Sequence, residues 1–205
     1  MLAVTICSVA VALPRRAVTV QGGAALATAF LATRAQPALA DGPLLPKTGG
    51  PVVLCEEDVM SQKAHGTTDQ PVQQSLRWNV DRKNADRICS FNRHYAEYAG
   101  YWKTTSYLKE VSKDEPTVYY DSVTGKPLFV APIGRTMQEF LAESDVHGWP
   151  SFRDEEVVWE NMRVLRTTGE TVSKDGTHLG HNLPDRKGNR YCINLISVAG
   201  LPVEM

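Results

Sequence analysis

One predicted strand has a short polar face, and this face carries a cysteine that could act as a nucleophile. The segment reads Arg190-Tyr191-Cys192-Ile193-Asn194, and alternate side chains of a strand face opposite sides. Arg190, Cys192 and Asn194 therefore share one face, while Tyr191 and Ile193 suit a core. A nearby guanidinium favours the thiolate, which is the nucleophilic form of cysteine. This segment alone fits a reactive thiol and a small buried cysteine equally well.

Two further segments carry side chains suited to binding or proton transfer. His178 and His181 lie three positions apart between glycines, which favours a turn or short strand and suits acid–base work or metal ligation. The chain has only 5 histidines, so a pair at this spacing favours a function over two surface histidines. Trp149 lies between Gly148 and Pro150 and is held rigidly there, although a packed aromatic at a turn gives the same pattern.

In this order and spacing, the segments resemble the signature of the methionine-R-sulfoxide reductases. The resemblance covers about residues 119–198 well and residues 85–118 loosely. The matching motifs are Gly-Lys-Pro-Leu-Phe at 125–129, Gly-Trp-Pro-Ser-Phe at 148–152, His-Leu-Gly-His at 178–181 and Arg-Tyr-Cys-Ile-Asn at 190–194.

The resemblance implies a nucleophile and a substrate-binding surface. Cys192 would attack the sulfoxide sulfur of an oxidised methionine in a protein and become a sulfenic acid as methionine leaves, the first step of thiol oxidation. Trp149 would form an aromatic wall for the substrate methyl group, and Phe152 would support substrate binding beside it. The substrate class implied is therefore methionine-R-sulfoxide.

The resemblance also implies groups that handle the sulfoxide oxygen. His178 and His181 would bind this oxygen and help to protonate it, which makes it a better leaving group. Arg190 and Asn194 would give electrostatic and hydrogen-bond support to the thiolate. These roles agree with the shared strand face of Arg190, Cys192 and Asn194.

The sequence departs from the family pattern at two places, and these affect metal binding and the regeneration of Cys192. Many members hold zinc with two Cys-x-x-Cys pairs, whereas this chain has Asp121, Thr124, Val172 and Asp175 at those positions. Without the four thiols no tetrahedral thiolate site forms, so we expect the zinc-free branch, with no metal and no bound cofactor. The position of a common resolving cysteine is occupied by His147.

Recycling of Cys192 therefore requires another thiol. Cys89 is the candidate resolving residue, because some relatives carry an upstream cysteine in a comparable place. Cys55 and direct attack by an external reductant, such as thioredoxin or glutathione, remain alternatives. A thioredoxin-like reductant is thus an expected partner.

The chain divides into three predicted parts. Residues 1–40 contain no Asp or Glu, carry the twin arginine at 15–16 and end in Ala-Leu-Ala, a layout typical of a cleaved export signal. Two apolar runs in series resemble the targeting of algal thylakoid-lumen proteins, so we expect a plastid, lumenal protein without stable membrane insertion. Membrane anchoring by the second run is the alternative. Residues 41–84 form a predicted extension, and residues 85–205 the reductase domain.

The mature chain is predicted to be mainly β, with antiparallel sheets and a few short helices. Short apolar runs, among them 157–159 and 190–198, are separated by Gly, Pro and Asp turns. Thr136 and Glu139 form a capping box that predicts a helix to about Ser144. A formal net charge of −1 and the lack of a basic patch argue against nucleic-acid binding.

Two hypotheses from other classes remain open. His178, His181 and Cys192 are nitrogen and sulfur ligands suited to zinc or copper, although a further ligand at motif spacing is missing. A non-catalytic lumenal subunit or scaffold could keep the reductase fold and use the extension for docking. The presence of all the catalytic-type residues favours the enzyme.

Overall fold

Residues 45–203 are described by a computed structural model, so the predicted signal at 1–40 lies outside the described residues. The strands are Leu54–Cys55 (β1), Thr117–Tyr120 (β2), Pro127–Ala131 (β3), Ser151–Phe152 (β4), Met162–Leu165 (β5), Glu170–Ser173 (β6), His178–Asn182 (β7) and Tyr191–Ile193 (β8). The α-helices are Arg82–Asp86 (α1), Tyr107–Glu110 (α2) and Met137–His147 (α3). Short 3-10 helices span Glu57–Met60, Arg77–Asn79, Tyr101–Thr104, Asp154–Glu156 and Leu195–Ser197, and Arg87–Phe91 forms one π-helical turn.

The strands form two sheets. The larger has the order β1-β5-β6-β7-β8-β4, and the smaller pairs β2 with β3. All of these pairs are antiparallel except β1 with β5, which is parallel. The prediction of a mainly β protein with antiparallel sheets and few short helices is therefore confirmed. Within residues 45–203, no helix is both long and apolar enough to cross a membrane.

Aromatic side chains fill the core between the sheets and α3. Phe129 of β3 stacks on Phe152 of β4 with ring centroids 4.1 Å apart, and Tyr119 of β2 meets Phe152 edge to face. Aromatic pairs of this kind stabilise a core beyond the burial of their area. The two sheets are thus joined through β4, which also borders β8.

Helix α3 begins and ends where local chemistry dictates. The Thr136 hydroxyl accepts the backbone N–H of Glu139, and the Glu139 carboxylate accepts the N–H of Thr136, which confirms the predicted capping box. The helix runs beyond the predicted end at Ser144 to His147. It stops there because Gly148 takes the left-handed conformation, with φ +87°.

Two predicted strands are wrong or too long. The run 157–159 forms no strand, because the acidic turn Asp154–Glu156 precedes it and only Val157 makes an isolated bridge, to Phe129. The run 190–198 is a strand only over Tyr191–Ile193. It then turns into the 3-10 helix Leu195–Ser197, whose first N–H groups are bound by a buried carboxyl group rather than by a neighbouring strand.

The segment predicted as an extension contributes to the same core as the rest of the described chain. Val72, Trp78 and Val80 are buried in the main cluster, and β1 pairs with β5. Between Leu76 and Val80 the chain forms a single 3-10 turn, Arg77–Asn79, in which Trp78 has φ +60°.

A buried polar network joins the turn after β2 to the turn between β6 and β7. Asp121 is fully buried, and its carboxylate accepts hydrogen bonds from the hydroxyls of Thr177 and Thr124 at 3.0 Å and from the Val123 N–H at 2.8 Å. Lys126 pairs with Asp175 at 2.8 Å across the same turns. Asp121 therefore ties the turn after β2 to the turn that leads into β7.

We expect Asp121→Ala to lower the free energy of unfolding by roughly 3 kcal/mol, because buried donors left without an acceptor cost about 1–3 kcal/mol each. Denaturant unfolding followed by circular dichroism measures this. Asp114→Ala is the matched control, since Asp114 is exposed. Equal stability of the two variants would contradict a structural role for the Asp121 network.

Candidate active site

One pocket of about 410 Å³ brings together five of the candidate site residues. Cys192, His178, His181, Trp149 and Asn194 all line it. The remaining lining residues are Arg93, His94, Tyr95, Ala96, Gly180 and Leu183. The pocket thus combines a thiol, imidazoles, an amide and an indole in one space.

Cys192 reaches the pocket because of its place in β8. Its neighbours Tyr191 and Ile193 are fully buried, whereas Cys192 is half-buried on the opposite face, as strand alternation predicts. β7 lies against it, with His181 directly opposite in register. A Cβ at Gly180 would lie 2.0 Å from the Cys192 carbonyl oxygen, so only glycine allows this approach of β7.

Arg190 acts on the Cys192 thiol from the same strand. Burial raises the pKa of Cys192, while the nearby positive charge of Arg190 opposes this shift. The guanidinium is itself buried, its Nε lies 3.7 Å from Asp185, and its Nε and Nη1 have no hydrogen-bond partner among the described residues. Arg190 is therefore available to stabilise negative charge at the thiol.

His178 is oriented by a buried carboxylate that the sequence motifs did not reveal. Its Nδ1 donates to Glu170 at 2.7 Å, and both side chains are at most 5% exposed. Arg93 also donates to Glu170, from Nε at 3.0 Å. Burial raises the pKa of Glu170, but the hydrogen bonds from His178 and Arg93 outweigh it and the net shift is downward. Glu170 stays ionised, and Nε2 is the imidazole nitrogen left for a ligand.

His181 provides a second imidazole beside His178. The two ring centroids are 5.9 Å apart. Burial lowers the pKa of His181, and the neighbouring His178 lowers it further. At neutral pH the His181 ring is therefore neutral and contacts a ligand by hydrogen bonding rather than by charge.

Glu97, which the sequence motifs also did not reveal, holds two groups of the pocket. Its N–H donates to the Asn194 side-chain oxygen at 3.1 Å, and its carbonyl oxygen accepts the Trp149 Nε1–H at 3.0 Å. Its carboxyl oxygens accept the N–H groups of Leu195 and Ile196. Burial raises the pKa of Glu97 to about 8, although these two N–H bonds oppose the shift.

Three predicted site residues do not line the pocket: Arg190, described above, Phe152 and Cys89. Phe152 is fully buried in the aromatic core, because it occupies the inward position of β4, and it lies behind the pocket rather than at its surface. Cys89 is fully buried in the π-helical turn, and its thiol donates to the Ser197 hydroxyl at 3.6 Å. Burial raises the pKa of Cys89.

Cys55 lies far from Cys192 across the sheet. β1 and β8 are separated by three strands, and four strand spacings amount to roughly 19 Å. A disulfide needs Cα atoms about 4.4–6.8 Å apart, so the described fold does not allow Cys55 to bond Cys192.

The hypothesis of a metal site finds no support in the side-chain arrangement. Within residues 45–203, no group of three or more His, Cys, Asp or Glu side chains is placed to hold a metal ion. His178 instead uses its Nδ1 for Glu170.

The pairing of β6 with β7 is the signal that identifies Glu170. Glu170 lies opposite His181 in register, so recognising the hairpin in the sequence would have placed this carboxylate beside the histidines. Glu97 and Arg93 lie in a segment with little regular structure, where no local pattern points to the pocket.

No family model matches the chain.

We expect Arg190→Met to raise the pKa of Cys192, because the desolvated thiol loses its favourable charge. Alkylation of Cys192 by iodoacetamide should then be severalfold slower at neutral pH and recover as the pH rises. Alkylation rates measured against pH test this by mass spectrometry. Arg186→Met, which removes an exposed arginine, is the control. An unchanged pH profile in Arg190→Met would show that Arg190 does not act on the thiol.

Proposed function

We propose that this protein reduces methionine-R-sulfoxide in oxidised proteins to methionine, with Cys192 as the nucleophile. The observation that carries the proposal is the single pocket in which Cys192 faces an indole and two imidazoles. A thiol, an apolar wall and proton donors are the groups that sulfoxide reduction needs. The four motifs that resemble the methionine-R-sulfoxide reductases support the same activity, and we propose that the fold is theirs.

The pocket offers a different surface to each substituent of a sulfoxide sulfur. The methyl group would lie against the Trp149 indole, and the oxygen would point to His178 and His181. The sulfur would then face Cys192, and the rest of the peptide would leave through the open side of the pocket. Three fixed contacts around a chiral sulfur select one epimer, which the resemblance identifies as R.

The reaction transfers the sulfoxide oxygen to Cys192. The thiolate attacks the sulfoxide sulfur and forms a sulfur–sulfur bond, while His178 supplies a proton to the oxygen and His181 donates a hydrogen bond to it. The oxygen then passes to the Cys192 sulfur as the bond from the substrate sulfur to oxygen and the sulfur–sulfur bond both break. Methionine is released, Cys192 becomes a sulfenic acid, and the thiol has been oxidised by two electrons as the sulfoxide is reduced. Arg190 would stabilise the attacking thiolate, and Asn194 would support it through hydrogen bonding.

Glu170 and Arg93 would keep His178 ready for proton transfer. An ionised carboxylate at Nδ1 fixes the imidazole tautomer and stabilises the imidazolium. Arg93 holds the carboxylate from the opposite side. Nε2 of His178 is thereby the nitrogen that exchanges a proton with the substrate oxygen.

Recycling would use an external thiol, such as that of thioredoxin or glutathione, without a bound cofactor. Such a thiol attacks the sulfenic acid, forms a disulfide with Cys192 and releases water, and a second thiol then regenerates Cys192. Cys192 lines the open pocket and is accessible to it. Cys89 could resolve the intermediate only after leaving the core, because its thiol is fully buried.

We expect Cys192→Ser to reduce turnover of a peptide containing methionine-R-sulfoxide by roughly a thousandfold or more, as for other covalent nucleophiles. A serine hydroxyl forms no accessible anion at neutral pH. Chromatographic detection of methionine, with separated R and S epimers and with thioredoxin or dithiothreitol as reductant, measures the activity.

Cys55→Ser is the control and should keep wild-type turnover, because Cys55 lies far from the pocket. Comparable wild-type rates on both epimers, or a tenth of the wild-type rate in Cys192→Ser, would contradict the proposal. A folded wild-type protein inactive on both epimers would favour the non-catalytic subunit instead.

We expect Cys89→Ala to keep most thioredoxin-supported turnover, because a buried thiol with a raised pKa is a poor attacking group. Peptide mapping after oxidation by substrate alone should show no Cys89–Cys192 disulfide. If Cys89→Ala completes one turnover but fails to cycle, and the wild type forms that disulfide, then Cys89 is the resolving thiol. The Cys55→Ser variant provides the matched comparison.

A further inference from the structure

Glu97 makes four hydrogen bonds. Two join it to side chains that line the pocket, and two join it to the 3-10 helix Leu195–Ser197, which follows Cys192 in the chain. The carboxyl oxygens accept the N–H groups of Leu195 at 2.8 Å and Ile196 at 3.1 Å. The main chain of Glu97 contacts Asn194 at 3.1 Å and Trp149 at 3.0 Å. The residue is only 2% exposed, so water does not replace these bonds.

The carboxyl group fastens one wall of the pocket to the end of β8. The N–H groups at the start of a helix have no partner within the helix, and Glu97 supplies the acceptors for Leu195–Ser197. This 3-10 helix begins immediately after Asn194, three residues beyond Cys192. The wall formed by Tyr95 and Ala96 is thereby held at a fixed distance from the nucleophile.

The main chain of Glu97 then sets the orientation of two side chains. Its N–H binds the oxygen of the Asn194 amide, so the Asn194 nitrogen turns to the Leu179 carbonyl, at 3.1 Å. Its carbonyl oxygen binds the indole N–H of Trp149, which fixes the ring plane that faces the pocket. Both contacts depend on where the Glu97 backbone lies, and therefore on the anchor that its carboxyl group provides.

We propose that Glu97 is a positioning residue. It holds the wall formed by Tyr95 and Ala96 against the 3-10 helix that follows Cys192, and so orients Trp149 and Asn194 for the substrate. The part of this inference that concerns substrate rests on the proposed function, since Trp149 is there taken to contact the methyl group. The orientation of the indole itself is independent of any activity.

Glu97→Gln and Glu97→Ala test the proposal, with Glu115→Gln as the control because Glu115 is exposed. In Glu97→Gln an amide NH₂ group replaces one of the two carboxyl oxygens and cannot accept a hydrogen bond. One of the bonds from the backbone N–H groups of Leu195 and Ile196 is therefore lost, while the volume of the side chain is unchanged. Should Glu97→Ala not fold, Glu97→Gln decides alone.

Steady-state kinetics and alkylation together distinguish an effect on substrate binding from an effect on the nucleophilicity of Cys192. For a methionine-R-sulfoxide peptide, we expect kcat/KM of Glu97→Gln to fall about 10- to 100-fold, since small misplacements at an active site have effects of this size. Most of the change should be in KM, because Trp149 contacts the bound substrate. Alkylation of Cys192 by iodoacetamide should stay within about twofold of wild type, because the Glu97 carboxyl group does not bond the thiol.

The structural readout needs no substrate. The ¹H–¹⁵N resonance of the Trp149 indole, assigned with Trp149→Phe, should shift in both Glu97 variants and stay in place in Glu115→Gln. An unshifted indole resonance in Glu97→Gln would overturn the proposal whatever the activity, and so would an unchanged KM in an active enzyme. A shifted resonance in a wild-type protein inactive on both epimers would support the positioning role while removing the proposed function.

Discussion

The antiparallel pairing of β7 with β8 is the constraint on which the pocket depends. It places His181 opposite Cys192 and brings His178 onto the same wall. The approach is possible because Gly180 has no side chain to meet the Cys192 carbonyl oxygen. A shift of one residue in this register would turn the whole polar face of β8 into the core. The aromatic core beneath β4 and β8 therefore fixes the register, and through it the geometry of the site.

Three buried acidic side chains maintain this arrangement at different points. Asp121 joins the turn after β2 to the turn between β6 and β7, Glu170 holds the histidine wall, and Glu97 holds the opposite wall. Each accepts several hydrogen bonds, which offsets the free energy of removing a polar group from water. The Asp121 network thus links the small sheet to the strand that bears His178.

Local patterns in the sequence predicted the features that neighbouring residues determine, but not those that depend on distant contacts. Alternation in β8 predicted the polar face of Cys192, and the capping box predicted α3. The strand predicted through residue 198 ends at Ile193 because Glu97, almost a hundred residues earlier, binds the next N–H groups. Phe152 was predicted at the substrate but lies in the core, since the motif does not say which face of β4 points inward. Glu97 and Glu170 were missed because pairing across the fold, rather than spacing along the chain, brings them to the pocket.

The two buried glutamates behind the pocket wall, Glu170 and Glu97, have opposite pKa shifts, and this difference separates their roles. Glu170 has two cationic or proton-donating neighbours, His178 and Arg93, which keep its pKa low. Glu97 has only backbone N–H donors, and burial raises its pKa to about 8. Two carboxyl groups whose surroundings shift their pKa values in opposite directions can have different roles in one site. Glu170 can balance a positive charge on His178, whereas the hydrogen bonds of the Glu97 carboxyl group go to backbone N–H groups and hold the backbone in place. The proposed proton transfer and the proposed positioning role therefore fall to different walls of one pocket, with Cys192 between them.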